Sequence, residues 1–216
     1  MVTHAGWRSN AIRARTMRYN DVYVSLRVPI DDSVASQQSA ICEAFNLIPR
    51  KELHVTIGFL GTCEAEQIAS FGAQLSAIAP STLSTLRVLG VGGALQDESG
   101  KSLFIASGEV WQTRPRVLWW AVECPEALIG FRNGMIAAAL GVGLNASYLR
   151  PQYTPHITLG SAGPPTGHDW SLFDVHDLPK DPTFRDLANP QTVSIDRLHV
   201  TSVERAPDSL FSVREY

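Results

Sequence analysis

The chain has 216 residues, of which 44% are hydrophobic and 18% charged, and a formal net charge of -3. That balance excludes global disorder and leaves room for one large domain or two small lobes. It also excludes a basic field able to hold long duplexes, so a nucleic-acid ligand is expected to be small or gripped locally.

The first twenty residues carry Arg8, Arg13, Arg15 and Arg18 and no acid. Organellar transit peptides share that composition, but no hydrophobic signal core accompanies it. Residues 1–20 are therefore read as a mobile basic tail, with Met17 as an alternative start, and 21–216 as a single bilobal domain. Asp21 to Pro29 alternates as a strand with Val22, Val24, Leu26 and Val28 on one side. Asp32 or Ser33 caps a helix over Val34 to Phe45. Leu53 to Leu60 is a strand, and Thr62 caps a helix from Cys63 to Ile78 with Ile68, Phe71, Leu75 and Ile78 at helical spacing. Leu86 to Leu95 is a glycine-punctuated strand or bulged pair. Ser102 to Glu109 and Val117 to Glu123 are two further strands. Pro125 opens a helix to about Leu140 that stops at Gly141 and Gly143. Tyr153 to Ser161 is a strand. Ala162 to Pro190 is a loop of about thirty residues rich in Pro, Asp and Gly, a length typical of lids, binding loops and insertions. Val193 to Val203 and Leu210 to Val213 close the chain as strands. The two halves rhyme, which points to an α+β protein with two related lobes.

Two of these strands carry one pattern, His-apolar-Thr-apolar-Gly: His54 to Gly58 in HVTIGFLG and His156 to Gly160 in HITLG. Side chains alternate along a strand, so His54, Thr56 and Gly58 are expected on one face and Val55, Ile57 and Phe59 on the other. His156, Thr158 and Gly160 repeat this against Ile157 and Leu159. One such copy is a weak sign, because buried histidines are often hydrogen-bonded core residues. Two copies in matching places of rhyming halves converge two imidazoles and two hydroxyls on one cleft. Opening a 2′,3′-cyclic phosphate needs a base for water and an acid for the leaving ribose oxygen. Two histidines divide those tasks without a metal. Threonine hydroxyls donate to the non-bridging oxygens, and the small glycines are expected to let the phosphate come close. A third copy, His199-Val-Thr201, lacks the second apolar residue and the glycine. It is read as structural, although Arg197 and Thr201 lie on its side of the strand.

Two such strands about a hundred residues apart resemble the hallmark of the 2H phosphoesterase superfamily. LHVTIGFLG followed by an acidic helix, RPQYTPHITLG, and RVLWWAVE before a helix resemble its branch of RNA 2′,3′-cyclic phosphodiesterases, once named 2′-5′ RNA ligases. The likeness runs from about Asp21 to Tyr216. It implies a bilobal α+β fold in which two pseudo-symmetric lobes with antiparallel sheets face a central cleft, with helices outside. It implies His54 and His156 as the catalytic pair, Thr56 and Thr158 as phosphate ligands, and no cofactor or metal. Relatives act on cyclic phosphates of RNA ends or nucleotides, on 2′-5′ oligoadenylates or on cyclic oligonucleotides. A nuclease for linked oligonucleotides and a silent nucleotide-binding module are the alternatives. Many members of the branch follow the second motif with a basic residue, whereas Ser161, Ala162 and Gly163 stand here.

Tyr153 is a candidate for base stacking, and Arg150 and Arg116 for phosphate contact. Trp119 and Trp120 point to opposite faces, one to the core; Trp120 is taken as the substrate-side candidate. His168 and His176, with Asp169 and Asp174, have no recognised metal spacing. Cys42, Cys63 and Cys124 are odd in number and lack a C-x-x-C pair, so they are expected as free thiols in a reducing compartment. No apolar run approaches the roughly 18 residues of a membrane span. A cytoplasmic monomer acting on RNA ends or small nucleotides is expected.

Overall fold

The computed structural model describes residues 17–96, 102–105, 117–144, 153–162, 192–203 and 209–216. In chain order the elements are β1 (Arg18–Val28), α1 (Asp32–Ala44), β2 (Ile48–Pro49), β3 (Leu53–Glu64), α2 (Ala65–Ile78), β4 (Thr85–Gln96), β5 (Ser102–Ile105), β6 (Val117–Val122), α3 (Glu126–Gly141), β7 (His156–Ser161), β8 (Thr192–Ser194), β9 (Arg197–Ser202) and β10 (Ser209–Glu215). The protein is α+β. The expected tail 1–20 lies outside the described residues up to residue 16, and the expected loop 162–190 from residue 163 onward.

The strands join in the order β10-β9-β1-β3-β7-β6-β4-β5, with β2 on β7 and β8 on β4, and every pairing is antiparallel. The order reads outward from β3–β7 as β1, β9, β10 on one side and β6, β4, β5 on the other. Each half contains a strand, a helix and a motif strand, β1-α1-β3 and β6-α3-β7, as the sequence led us to expect. The halves meet as neighbours in one hydrogen-bonded sheet, joined through the β3–β7 bridge.

One face of this sheet is the core. Val22, Val24, Leu26, Val28, Val55, Ile57, Ile157 and Leu159 are buried there in one cluster with Ile68, Phe71 and Leu75 of α2 and Leu128, Phe131 and Met135 of α3. The other face is left to the polar residues of the motif strands.

The helix starts differ from expectation for local reasons. Asp31, one residue ahead of the expected caps, accepts from Val34 N at 2.8 Å and opens α1. Thr62 does not cap α2, because β3 continues to Glu64; its hydroxyl bonds Asn20 Oδ1 at 3.3 Å. A capping box of Glu64 and Gln67 starts that helix instead. The strand expected over Val193 to Val203 is broken into β8 and β9 at Ile195 and Asp196.

Both motif strands carry a register shift at the same place. Ser25 pairs Thr56 but Val24 pairs Gly58, so Ile57 is the extra residue. Trp119 pairs Thr158 but Leu118 pairs Gly160, so Leu159 is the extra residue. A β-bulge therefore follows each threonine and ends the alternation there, as bulges beside functional sites often do. Two expectations are corrected by it. Phe59 does not join the core face but stacks on Tyr23, ring centroids 5.7 Å apart. Gly160 is not an opening for phosphate: a Cβ there would meet Cys42 Sγ at 2.5 Å and the Ile48 carbonyl at 3.0 Å, so the glycine lets α1 and β2 close onto β7.

We expect Gly160→Ala to destabilise the fold by roughly 1–3 kcal/mol, the usual cost of overpacking. The measurement is the urea midpoint at unchanged m value. An unshifted midpoint would show that this close approach does not hold the second motif strand.

Candidate active site

The site is built by one bridge pair. Val55 of β3 lies opposite Ile157 of β7, both fully buried in the core. Residues opposite each other in an antiparallel pair share a face. One step along each strand sets His54 across from Thr158, and Thr56 across from His156, on the polar face. Each histidine thus stands opposite the other motif's threonine. His54, Thr56 and Thr158 are half-buried and His156 is exposed.

Neighbouring strands extend this into two rows. Arg27 of β1 pairs with His54, and Ser25 with Thr56. On β9, Arg197 pairs with Arg27 and His199 with Ser25. On the far side, Trp119 of β6 pairs with Thr158 and Ala121 with His156. One row runs Arg197, Arg27, His54, Thr158, Trp119. The other runs His199, Ser25, Thr56, His156, Ala121.

The two imidazoles have different surroundings. The His54 ring lies 5.3 Å from that of the buried Tyr23, tilted by 30°. Burial first, then the Arg50 guanidinium, then His156, push its pKa from 6.5 down to about 4. It is therefore neutral at neutral pH. The His156 Nδ1 lies 3.0 Å from the Thr154 carbonyl. A carbonyl only accepts, so Nδ1 carries a proton while this bond lasts, and Nε2 is the atom free to exchange one. The Trp119 ring stands 5.4 Å from the His156 ring.

Tyr153 fixes the junction. Its hydroxyl donates to the Thr56 carbonyl at 3.1 Å, and the Arg132 guanidinium sits 4.8 Å from its ring centroid. With one face covered by Arg132 and its hydroxyl spent on β3, Tyr153 holds the second motif's approach to the first. Burial raises its hydroxyl pKa well above the ordinary range. Trp120 is corrected: it is 0% exposed, in the core, because it pairs with Ile157, whereas Trp119 pairs with Thr158. The tryptophan beside the site is Trp119. Arg150, Arg116, His168, His176, Asp169 and Asp174 lie outside the described residues.

His199 sits on the site's face but is 5% exposed, with Nδ1 unpartnered. Its pKa is lowered to about 4 by burial, then Arg197, His54 and Arg27, against Asp196. Sequence reasoning missed Tyr23 and Arg50. Arg50 backbone N donates to the Leu159 carbonyl at 2.8 Å, and the buried Gln38 amide donates to both the Arg50 and Leu159 carbonyls, at 2.8 and 2.7 Å. The turn bearing Arg50 is thereby fastened to the strand of the second motif. The signal was the basic pair Arg50-Lys51 just ahead of the first motif. Among the described residues no group of three or more His, Cys, Asp or Glu is placed to hold a metal, and Cys42, Cys63 and Cys124 are free thiols.

No protein-family model matches the chain, and no curated protein matches it. Solved structures of similar shape include a phosphoesterase (TM-score 0.45, 19% identity, 84% of this chain and 87% of that one). Another is E. coli LigT complexed with 3′-AMP (TM-score 0.46, 17% identity, 85% and 87%). A third is TT0787 of Thermus thermophilus (TM-score 0.48, 17% identity, 85% and 87%).

Two outcomes are expected. Trp120→Ala should cost about 3–5 kcal/mol of stability, as large core truncations do, while Trp119→Ala should leave the unfolding midpoint nearly unchanged. The reverse order would move the substrate-side tryptophan back to Trp120. His54 and His199 have folded pKa values of about 4 against an ordinary value of 6.5. The unfolded chain takes up protons first as pH falls, so their contribution is whole above about 6.5 and is lost towards 4. The denaturant midpoint should fall over that window, and less steeply in His199→Gln. An equal slope in that variant would contradict a neutral buried His199.

Proposed function

We propose that this chain is a metal-independent phosphodiesterase that hydrolyses 2′,3′-cyclic phosphates on RNA ends or nucleotides. The observation that carries the reading is the antiparallel register of β3 and β7, which sets each motif histidine opposite the other motif's threonine. With the phosphate between the strands, the Thr56 and Thr158 hydroxyls donate to its non-bridging oxygens and stabilise the pentacoordinate transition state.

The histidines divide the proton transfers. His54, neutral in its half-buried place, accepts a proton from water as the water oxygen bonds to phosphorus. An anionic phosphate beside it raises its pKa from about 4 and makes it a better base. His156 is exposed, and its Nδ1–H is steadied by the Thr154 carbonyl. Its Nε2 gives a proton to the ribose oxygen as the bond from phosphorus to that oxygen breaks. The product is a phosphomonoester beside a free hydroxyl, and the proton gained by His54 returns to His156 through solvent.

The assay is hydrolysis of a mononucleoside 2′,3′-cyclic phosphate and of an RNA oligomer ending in one, by EDTA-treated protein. We expect activity to survive chelation. His54→Ala and His156→Ala should each lower kcat by about 10²–10⁴, the usual worth of a positioned acid or base, and His199→Ala should cost at most a few-fold. Loss on chelation, or an equal loss in His199→Ala, would overturn the assignment. The pH profile of kcat/KM should be bell-shaped. Its acidic limb should lie well below 6.5, because the free enzyme's base titrates at about 4.

A further inference from the structure

In the reaction proposed above, negative charge on the phosphate grows. A 2′,3′-cyclic phosphate is a monoanion, whereas a phosphomonoester has a second pKa of about 6 and is mostly a dianion at neutral pH, its extra proton released to solvent. The groups assigned so far do not match that charge. The threonine hydroxyls are neutral donors, His54 starts neutral, and the proton of His156 leaves with the ribose oxygen. We propose that Arg50 is a further catalytic residue, a fixed cation whose guanidinium binds the non-bridging oxygens and stabilises the charge that builds on them. The inference rests on the phosphodiesterase reading and adds a residue to that site.

Position carries the first part. One edge of β7 is taken by β6 along its whole length. The other edge is shared: Val55 of β3 pairs with Ile157, and further along Pro49 and Ile48 of β2 pair with Gly160 and Ser161. Arg50 follows β2 and lies in the gap between these two pairings. Its backbone N–H donates to the Leu159 carbonyl at 2.8 Å, and its carbonyl accepts from the buried Gln38 amide at 2.8 Å. Leu159 follows Thr158, and Thr158 stands across from His54. Arg50 is therefore anchored through both backbone groups beside that end of the site, while its side chain is exposed. A donor held in place before the reaction begins needs no reorganisation as charge develops.

Electrostatics carries the second part. Two arginines stand near His54. Arg27 is engaged elsewhere, giving Nε and Nη2 to one oxygen of Asp196 at 3.1 and 2.8 Å. Arg50 makes no ion pair with any described residue. Its charge reaches the site's face: after burial it does most to lower the pKa of His54, ahead of His156, and it also lowers that of Tyr23, against burial and Glu52. β7 itself ends on Ser161, followed by Ala162, and brings no cation. A guanidinium presents its donors in a planar fork that matches two phosphate oxygens.

The test is hydrolysis of a mononucleoside 2′,3′-cyclic phosphate by the unmodified chain, Arg50→Gln, Arg50→Lys and Lys51→Gln. We expect Arg50→Gln to lower kcat by about 10²–10³, the usual worth of one donor aimed at developing charge, with KM changed at most a few-fold. Arg50→Lys should recover at least about ten-fold of that loss, since it restores the charge without the fork. Lys51→Gln should stay within a few-fold of the unmodified chain. A structural role would not move the pH profile. His54 is faced by Tyr23 and Arg27 from β1, His156 from β7 and His199 from β9, all left in place in Arg50→Gln. The acidic limb of kcat/KM should therefore shift towards higher pH in that variant. A kcat within a few-fold of the unmodified value, no recovery in Arg50→Lys, an unmoved acidic limb, or an equal loss in Lys51→Gln would overturn the role. If the unmodified chain turns over nothing, the phosphodiesterase reading fails, and Arg50 is judged by the binding of inorganic phosphate, followed on the His54 ring by NMR. Binding weakened by at least about ten-fold in Arg50→Gln, and unchanged in Lys51→Gln, supports Arg50 as the phosphate's cation. Equal affinity in Arg50→Gln overturns it.

Discussion

Everything at the site depends on how β3 pairs with β7. The contact is narrow, one bridge pair of Val55 with Ile157. Side chains alternate with period two, so a slip of one residue would send both imidazoles into the core and two aliphatic chains into the cleft. The core opposes that slip, since Val55 and Ile157 are fully buried. Further ties surround the pair. Tyr153 bonds the Thr56 carbonyl, Val122 N bonds the Pro155 carbonyl at 3.2 Å, and Gln38 holds the Arg50 and Leu159 carbonyls together. The bulges at Ile57 and Leu159 end the regular ladder just past each threonine. They confine strict alternation to the three residues His-x-Thr.

The pseudo-symmetry of the sheet stops at the electrostatics. Around His54 stand Tyr23, Arg27 and Arg50; around His156 stand Trp119 and a backbone carbonyl. One imidazole is pressed towards neutrality by burial and cations. The other is open to water, with one nitrogen already engaged. The flanks of the two motif strands share this asymmetry, with Trp119 on the β6 side and Arg27 on the β1 side.

Much of this was legible in the sequence. The paired His-x-Thr pattern identified both strands, β3 and β7. The hydrophobic alternation of Val22 to Val28 placed β1 with its correct face inward. Periodicity could not see register, however. Gly58 and Gly160 continue the alternation on paper, but each follows a bulge, and a bulge leaves no mark in a hydrophobic pattern. The choice between Trp119 and Trp120 failed for a related reason. Parity within β6 is readable, but which parity faces the site depends on the partner residue in β7. Arg50 and Tyr23 were missed because their roles come from a turn and a strand brought in by pairing. His199, read as structural from its incomplete motif, is buried on β9 at 5% exposure.

The most direct test of the central claim, that His54 and His156 together hold one phosphate, is a titration watched by histidine ring NMR. A nucleoside 3′-phosphate is added to the protein, with each ring assigned by substitution. The account predicts that both sets of resonances move with a common dissociation constant, while those of His199 move least. Movement of only one of the two, or movement with different constants, would mean that the two motif strands do not form a single site.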